Sequence, residues 1–278
     1  MSFSVNTNAS AFVALQNLTV TNKALTVTQN RINTGKAVAT AKDNSAIFAI
    51  AQNLRSDLGG LNAVKQSIDR GLSTLDIAVS AAESISDLLV QMKEKAVAGA
   101  DEGLDTQSRS ALTEDFNALR DQIAIIVSNA QFNGSNLIDG NSGAGSRLKV
   151  LLSDAGTQTF SVANQSLGLG SSNVTIGATS TFTTATEAAS MVTTIETSLT
   201  NVNKVLGTFG SGARTLDVQK SFVAKLADTI ETGIGNLVDA DLARESARLQ
   251  SLQVKQQLGL QALSIANQSP QAVLSLFS

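Results

Sequence analysis

Between Ala51 and Ala96 one spacing repeats without a break. Positions 51, 54, 58, 61, 65, 68, 72, 75, 79, 82, 86, 89, 93 and 96 stand alternately three and four residues apart. Eleven of these fourteen are apolar, with Lys65, Ser86 and Lys93 as the exceptions. Apolar residues at that spacing share one face of an α-helix. At ~1.5 Å per residue the segment predicts a rod of roughly 70 Å, which is not the helix of a compact globule. The sole proline, Pro270, lies near the C-terminus and leaves the rest of the chain free of helix breakers.

The same alternation recurs on either side. Ala11, Leu15, Leu18, Asn22, Leu25, Gln29 and Ile32 trace a shorter stripe, which Thr34-Gly35 ends as a C-terminal helix stop. Asp43, Asn44 and Ser45 are N-cap formers for the long run. A third helix carries Leu112, Phe116, Leu119, Ile123, Ile126 and Ala130, and a fourth runs from about Thr186 through Val202, Phe209, Leu216 and Leu226 to Leu237. The stripes nominate Leu54, Leu61, Leu72, Leu75, Leu89, Phe116, Ile123, Val202 and Leu226 as core. Gly207, Gly210 and Gly212 mark an expected kink in the fourth helix.

The last segment, 238–268, is helical in pattern but apolar on more than one side. Leu249 with Leu252, Leu258 with Ile265, and Leu260 with Leu263 fall on different faces, and Lys255 is the only charge from Leu249 onward. Such a helix must be buried on several sides. Between the third and fourth helices the texture turns to β. Leu148–Leu152 and Phe160–Val162 alternate around an Asp154-Ala155-Gly156 turn, and Asn133-Gly134 and Asp139-Gly140 are turn pairs. From Ala155 to Thr186 no residue is charged. Disorder is one reading of that stretch. An ordered hairpin region anchored by Phe160, Val162, Leu167, Leu169, Val174 and Ile176 is the other, and the one preferred. The fold class read from the pattern is mainly α, a long antiparallel coiled-coil or helical bundle with a small β-hairpin region. Its two ends pair and its middle projects.

Composition narrows function. Histidine and cysteine are absent, which removes imidazole acid–base chemistry, thiolate nucleophiles, disulfides and Cys/His metal sites. No phosphate-binding, dinucleotide-binding or nucleophile-elbow motif occurs. The expectation is a non-enzyme with no cofactor, and a net charge of −3 gives no reason to expect nucleic acid as a partner. Residues 1–8 lack the basic and apolar regions of a standard secretory signal, and no apolar run reaches membrane-spanning length.

Five motifs in order resemble the bacterial flagellins. They are Asn6-Thr7-Asn8; Arg31-Ile32-Asn33-Thr34-Gly35 with Ala41-Lys42-Asp43-Asn44-Ser45-Ala46; Phe132-Asn133-Gly134 with Asn136–Gly140; Ile234–Asp241; and Ala266-Asn267-Gln268 with Pro270–Leu276. The similarity covers roughly 1–140 and 185–278. It implies an inner-tube domain, D0, from both termini, and a surrounding helical domain, D1. The corresponding division is 1–42 (D0 helix and connector), 43–140 (D1 helices), 141–184 (D1 hairpin and tip), 185–237 (D1 helix) and 238–278 (D0 helix). With about 45 residues between Gly140 and Thr186, there is no room for the outer domains of larger members. The chain is a minimal type resembling alphaproteobacterial flagellins.

The resemblance further implies a secreted, extracellular filament subunit that polymerises with itself, alone or mixed with other flagellins. It would leave by the flagellar export apparatus with a chaperone, and meet hook-associated junction and cap proteins. Leu15, Leu18, Leu25, Leu249, Leu252, Leu258 and Leu263 are then candidate D0 subunit contacts, and Thr175, Thr181, Thr183 and Thr184 candidate O-glycosylation sites. Where receptor-activating flagellins carry a stretch close to Q-R-V-R-E-L-A-V, this chain has Val90–Val97, with Gln91 for the first Arg and Lys95 for Leu. Weak or no activation of the vertebrate Toll-like flagellin receptor is implied. A hook–filament junction protein and a cytoplasmic coiled-coil scaffold are the alternatives that share such stripes.

Overall fold

The computed structural model describes residues 7–141 and 147–274. It is mainly helical, in the order α1 (Ala9–Thr34), α2 (Ser45–Gly99), α3 (Thr106–Asn129), β1 (Gln131–Phe132), β2 (Ser135–Asn136), β3 (Arg147–Leu151), β4 (Thr159–Ala163), α4 (Ala185–Val238) and α5 (Leu242–Leu274). The chain divides into two compact units, residues 1–56 with 229–278, and residues 57–228. The division falls inside α2 and α4. The reason is local: Gly35–Val38 bonds to Val238–Ala240, through Ala37 N–H to Val238 O (2.7 Å) and Ala240 N–H to Gly35 O (2.9 Å), so the ends of the long helices go with the terminal pair.

In the unit 57–228, α2 and α4 run antiparallel, tied at their rims by Asp69–Lys220 (2.7 Å) and Lys93–Glu196 (2.8 Å). Lys220 is held more firmly protonated than usual by its hydrogen bond to Asp69 and that carboxylate's charge. The seam on α2 is formed by 61, 64, 68, 71, 75, 78, 82, 85, 89, 92, 96 and 99, all buried. Half of these positions agree with the stripe in the sequence. Of the other six, Gly99 lies beyond the stripe and five lie one residue earlier than 65, 72, 79, 86 and 93, because Val64, Ala78, Ile85 and Met92 are apolar where Lys65, Ser86 and Lys93 are not. Leu61, Leu75, Leu89, Phe116, Ile123 and Val202 are buried. Leu54, Leu72 and Leu226, expected in the core, are half-buried. Leu72 sits on the flank of the true seam. Leu226 falls where a straight helix has drifted off a seven-residue repeat by ~20° per heptad, so that Ile234 and Val238 are buried instead of positions 233 and 237.

Two seam glycines are close-approach sites, not weak points. A Cβ at Gly71 would collide with the Val150 side chain of β3, and one at Gly99 would lie 2.5 Å from the Phe182 ring. Strands β3 and β4 pair antiparallel, Leu148 with Val162 and Val150 with Phe160, and lay Leu148, Val150 and Val162 inward. Ser67, buried on α2, accepts the Leu151 N–H at 3.1 Å. Helix α4 runs unbroken through the three glycines expected to kink it.

The β texture does not extend to 176. Residues 164–184 form an irregular, ordered segment, with Leu167, Val174, Ile176 and Phe182 buried. Its backbone is satisfied by side chains: Asn164 donates to Asn136 O, and Ser171 and Asn173 both donate to Ser166 O. Phe182 meets Phe116 of α3 edge to face at 5.3 Å. Thr184 and Glu187 then form a capping box at the start of α4. The N–H and hydroxyl of Thr183 hold the Glu187 carboxyl below its usual range. The Asn133-Gly134 turn closes a two-residue hairpin of β1 and β2, with both residues at positive φ as that turn requires.

Leu75 is fully buried and Leu72 is not, so Leu75→Ala is expected to cost about 2–5 kcal/mol as a core cavity, and Leu72→Ala clearly less. A thermal melt of monomeric protein distinguishes them. Equal losses would place the seam on the stripe first read from the sequence.

Candidate assembly surface

The terminal helices pair antiparallel. Asn8 caps α1 by accepting the Ala11 N–H at 3.0 Å, and its amide donates to Ala266 O on α5 at 2.7 Å. Gln256 donates to Asn22 at mid-length (2.8 Å), and Arg31 binds Glu245 at 2.9 Å near the other end. The Glu245 side chain is 11% exposed and Arg31 31%. A pair this withdrawn from water fixes register more than it adds stability, and removing one partner strands the other charge. Gly35, at φ 69°, closes α1 in the left-handed conformation that glycine adopts without penalty. In the connector, Asp43 accepts the Thr40 N–H and hydroxyl and the Ala39 N–H, which hold its carboxyl below the usual range, and Asn44 caps α2.

The seam of this pair is narrow. On α1 it takes 11, 14, 18, 21, 25, 28 and 32, and on α5 it takes 245, 249, 252, 256, 259, 263 and 266; every one is buried or half-buried. Many are small or polar, such as Ala14, Thr21, Thr28 and Gly259, where a Cβ would stand 3.3 Å from Leu18. Of the seven leucines nominated as subunit contacts, Leu18, Leu25, Leu249, Leu252 and Leu263 lie in this seam, within the chain. Leu15 and Leu258 face outward at 50% and 57% exposure. The stripe Leu15, Asn22, Gln29 is again one residue past the true inner positions, here Ala14, Thr21 and Thr28. Polar Asn22 and Gln29 were the available sign.

On α5 the sequence already showed apolar residues on more than one face; on α1 the outward set was missed. Phe12, Val13, Val20 and Val27 on α1, and Val254, Leu260 and Ile265 on α5, are 44–68% exposed. These helices carry large apolar side chains on the face away from each other. Among the described residues the set offers no catalytic or metal chemistry: no cluster of three potential ligands occurs, and no helix is long and apolar enough to cross a membrane. What it can do is bind other apolar surface.

The remaining nominated residues lie in the unit 57–228. Met92 and Ala96 point into its core, Gln91 is exposed, and Lys95 binds Asp115 at 2.6 Å. Thr175 bonds to Thr194 O and Ser198, Thr183 to Glu187, and Thr184 accepts from Glu187. Thr181 is exposed, and alone of the four makes no hydrogen bond among the described residues. Asn6, Ser275 and Leu276 of the terminal motifs lie outside the described residues.

Comparison with known proteins accounts for both helical regions. Residues 5–143 match the bacterial flagellin N-terminal helical region, and 192–277 the bacterial flagellin C-terminal helical region. Flagellin FljM of Caulobacter vibrioides is 52% identical, covering 99% of this chain and 98% of that protein. A flagellin of Brucella melitensis is 36% identical, covering 99% of both. The crystal structure of Bacillus cereus flagellin aligns at TM-score 0.51 and 22% identity, over 56% of this chain and 88% of that one. A putative flagellar hook-associated protein from Vibrio parahaemolyticus aligns at TM-score 0.59 and 17% identity, over 71% and 100%, which is a likeness of fold alone. With both terminal regions matched and relatives similar from end to end, this chain belongs to the bacterial flagellin family.

Proposed function

We propose that this flagellin builds the extracellular filament by burying the outward faces of α1 and α5 against the same helices of neighbouring copies. The observation that carries the reading is the ring of exposed apolar side chains on the pair, Phe12, Val13, Leu15, Val20, Val254, Leu258, Leu260 and Ile265. Each large apolar side chain fully buried is worth about 1.5–3 kcal/mol, and one copy cannot supply that cover. In this account the two helices are the inner-tube domain, D0, and the bundle of α2, α3 and α4 the surrounding domain, D1. Short or isolated helices are marginal in water, because nucleation is unfavourable, and ordering a residue costs on the order of 1–2 kcal/mol of backbone entropy. The ends therefore stay largely disordered in the monomer and become helical on arrival. A chain with loose ends suits passage through the export apparatus with a chaperone, and the same ends engage the junction and cap proteins. Assembly takes place alone or with related flagellins, and the protein has no catalytic role. Flagellin-family matches in both terminal regions favour this over a hook–filament junction protein.

Two finer readings follow from the D1 surface. Thr181 is the hydroxyl best placed to accept a glycan, since Thr175, Thr183 and Thr184 already bond within the fold. Gln91 lacks the fork of donors that arginine offers, and Lys95 puts a paired charge where the receptor-binding pattern has leucine.

Leu258→Glu with Leu260→Glu is expected to abolish filaments in electron micrographs while leaving the monomer's melting temperature unchanged. Normal filaments from this variant would refute the role given to the outer face. The monomer is also expected to activate the Toll-like flagellin receptor far more weakly than a flagellin with Arg and Leu at positions 91 and 95. Equal potency in a reporter-cell assay would contradict that.

A further inference from the structure

A second surface, in the unit 57–228, is charged and not apolar. Ser67, Arg70, Gly71 and Thr74 of α2, Phe132, Asn133 and Ser135 of the short hairpin, and Leu148 with Lys149 of β3 enclose a cleft of about 150 Å³. No acidic residue lines it. Arg70 and Lys149 are both exposed and form no ion pair or side-chain hydrogen bond among the described residues, and the neighbouring carboxylate, Asp69, is taken by Lys220. Arg147 lies two residues before Lys149 on the same outward face of β3. Their cross-strand partners are Ala163 and Ser161, so the facing strand supplies no counter-charge.

The opposite sign stands further along α2. Asp76, Glu83, Asp87 and Glu94 are exposed, fall at steps of seven, four and seven residues on the outer side of the helix, and make no ion pair among the described residues. Lys93 and Lys95, which could have neutralised that stripe, are paired instead with Glu196 and Asp115. Cleft and stripe occupy successive stretches of one rigid helix, so they cannot meet within a chain. They also lie on opposite flanks of α2, so only a second copy, set beside the first and shifted along the helix axis, can bring them together.

We infer that the Arg70–Lys149 cleft of one copy receives the acidic stripe of α2 from a second copy, as a side contact between bundles. The inference rests on the self-assembling reading above and adds a contact that the terminal helices do not provide. Because the two surfaces differ, the interface is heterologous, the kind that propagates a helical filament and does not close a dimer. Opposed charge fixes axial register and speeds encounter more than it adds affinity, and salt weakens it.

The test uses the full chain, dissociated and repolymerised. R70E/K149E, and separately E83K/D87K, are each expected to raise the critical concentration for polymerisation by at least about fivefold at low salt. The swapped chain R70E/K149E/E83K/D87K, complementary again, is expected to return towards wild type. All positions are exposed, and monomer melts unchanged from wild type confirm that folding is kept. Wild-type critical concentrations in both reversed variants would overturn this contact while leaving the assembling-subunit reading intact. Losses that the swapped chain does not restore would also overturn it, and would give the cleft a different anion as its occupant. A wild-type chain that forms no filament would overturn both readings.

Discussion

Two helices can cover one side of each other and no more. The pair α1 and α5 follows that rule closely: a seam one residue wide, filled with alanine, threonine, glycine and a few leucines, and large apolar side chains left on the other faces. For a protein that remained monomeric this would be a poor sequence, since exposed patches of that kind invite association. In a flagellin the association is the purpose. The small seam residues let the two helices approach closely, which leaves the bulky side chains on the outer faces.

The bundle of α2, α3 and α4 is built on the opposite plan. Its seam is wide and continuous from Leu61 to Gly99, its glycines make room for Val150 and Phe182, and its rim is closed by Asp69–Lys220, Lys93–Glu196 and Lys95–Asp115. Ion pairs so exposed add little stability each, but they engage Lys93 and Lys95, the lysines nearest the acidic stripe. This bundle closes a continuous core, although Val90, Val97, Ile125, Val218 and Phe222 stay exposed on it, whereas the terminal pair leaves most of its large apolar side chains outside.

Much of this was legible in the chain. The helix ends were marked by Thr34-Gly35 and by Asn44, and the Asn133-Gly134 turn was declared by its two residues; the capping pair Thr184 and Glu187 was there to be read and was not. The stripe on α4 was right as far as Val223, because nearly every position on it is apolar or small; Gln219 is the exception and is half-buried. On α1 and α2 a three–four alternation fits two neighbouring registers, and choosing the leucine-rich one placed Leu72 in the core and put Leu15 on one stripe with Leu18 and Leu25. The polar residues Lys65, Ser86 and Lys93 argued for the other register, as did Asn22 and Gln29. Small residues at Ala14, Gly71 and Gly99 carry weak hydrophobic signal, so spacing alone undervalued them. The segment after Ala163 could not be read as it folds, because its order comes from side-chain bonds by Asn164, Ser171 and Asn173 that no periodicity records.

If the outward faces of α1 and α5 exist to be covered by neighbours, the two helices should be stable only where neighbours are present. Amide hydrogen exchange on monomer and on filament measures this directly, since protection reports the local opening free energy. Amides around Leu15 and Leu258 are expected to exchange within the fastest class in the monomer and to be strongly protected in the filament, while those around Leu75 are protected in both. Strong protection around Leu15 and Leu258 in the monomer would contradict the account, because the terminal pair would then be complete without a second copy.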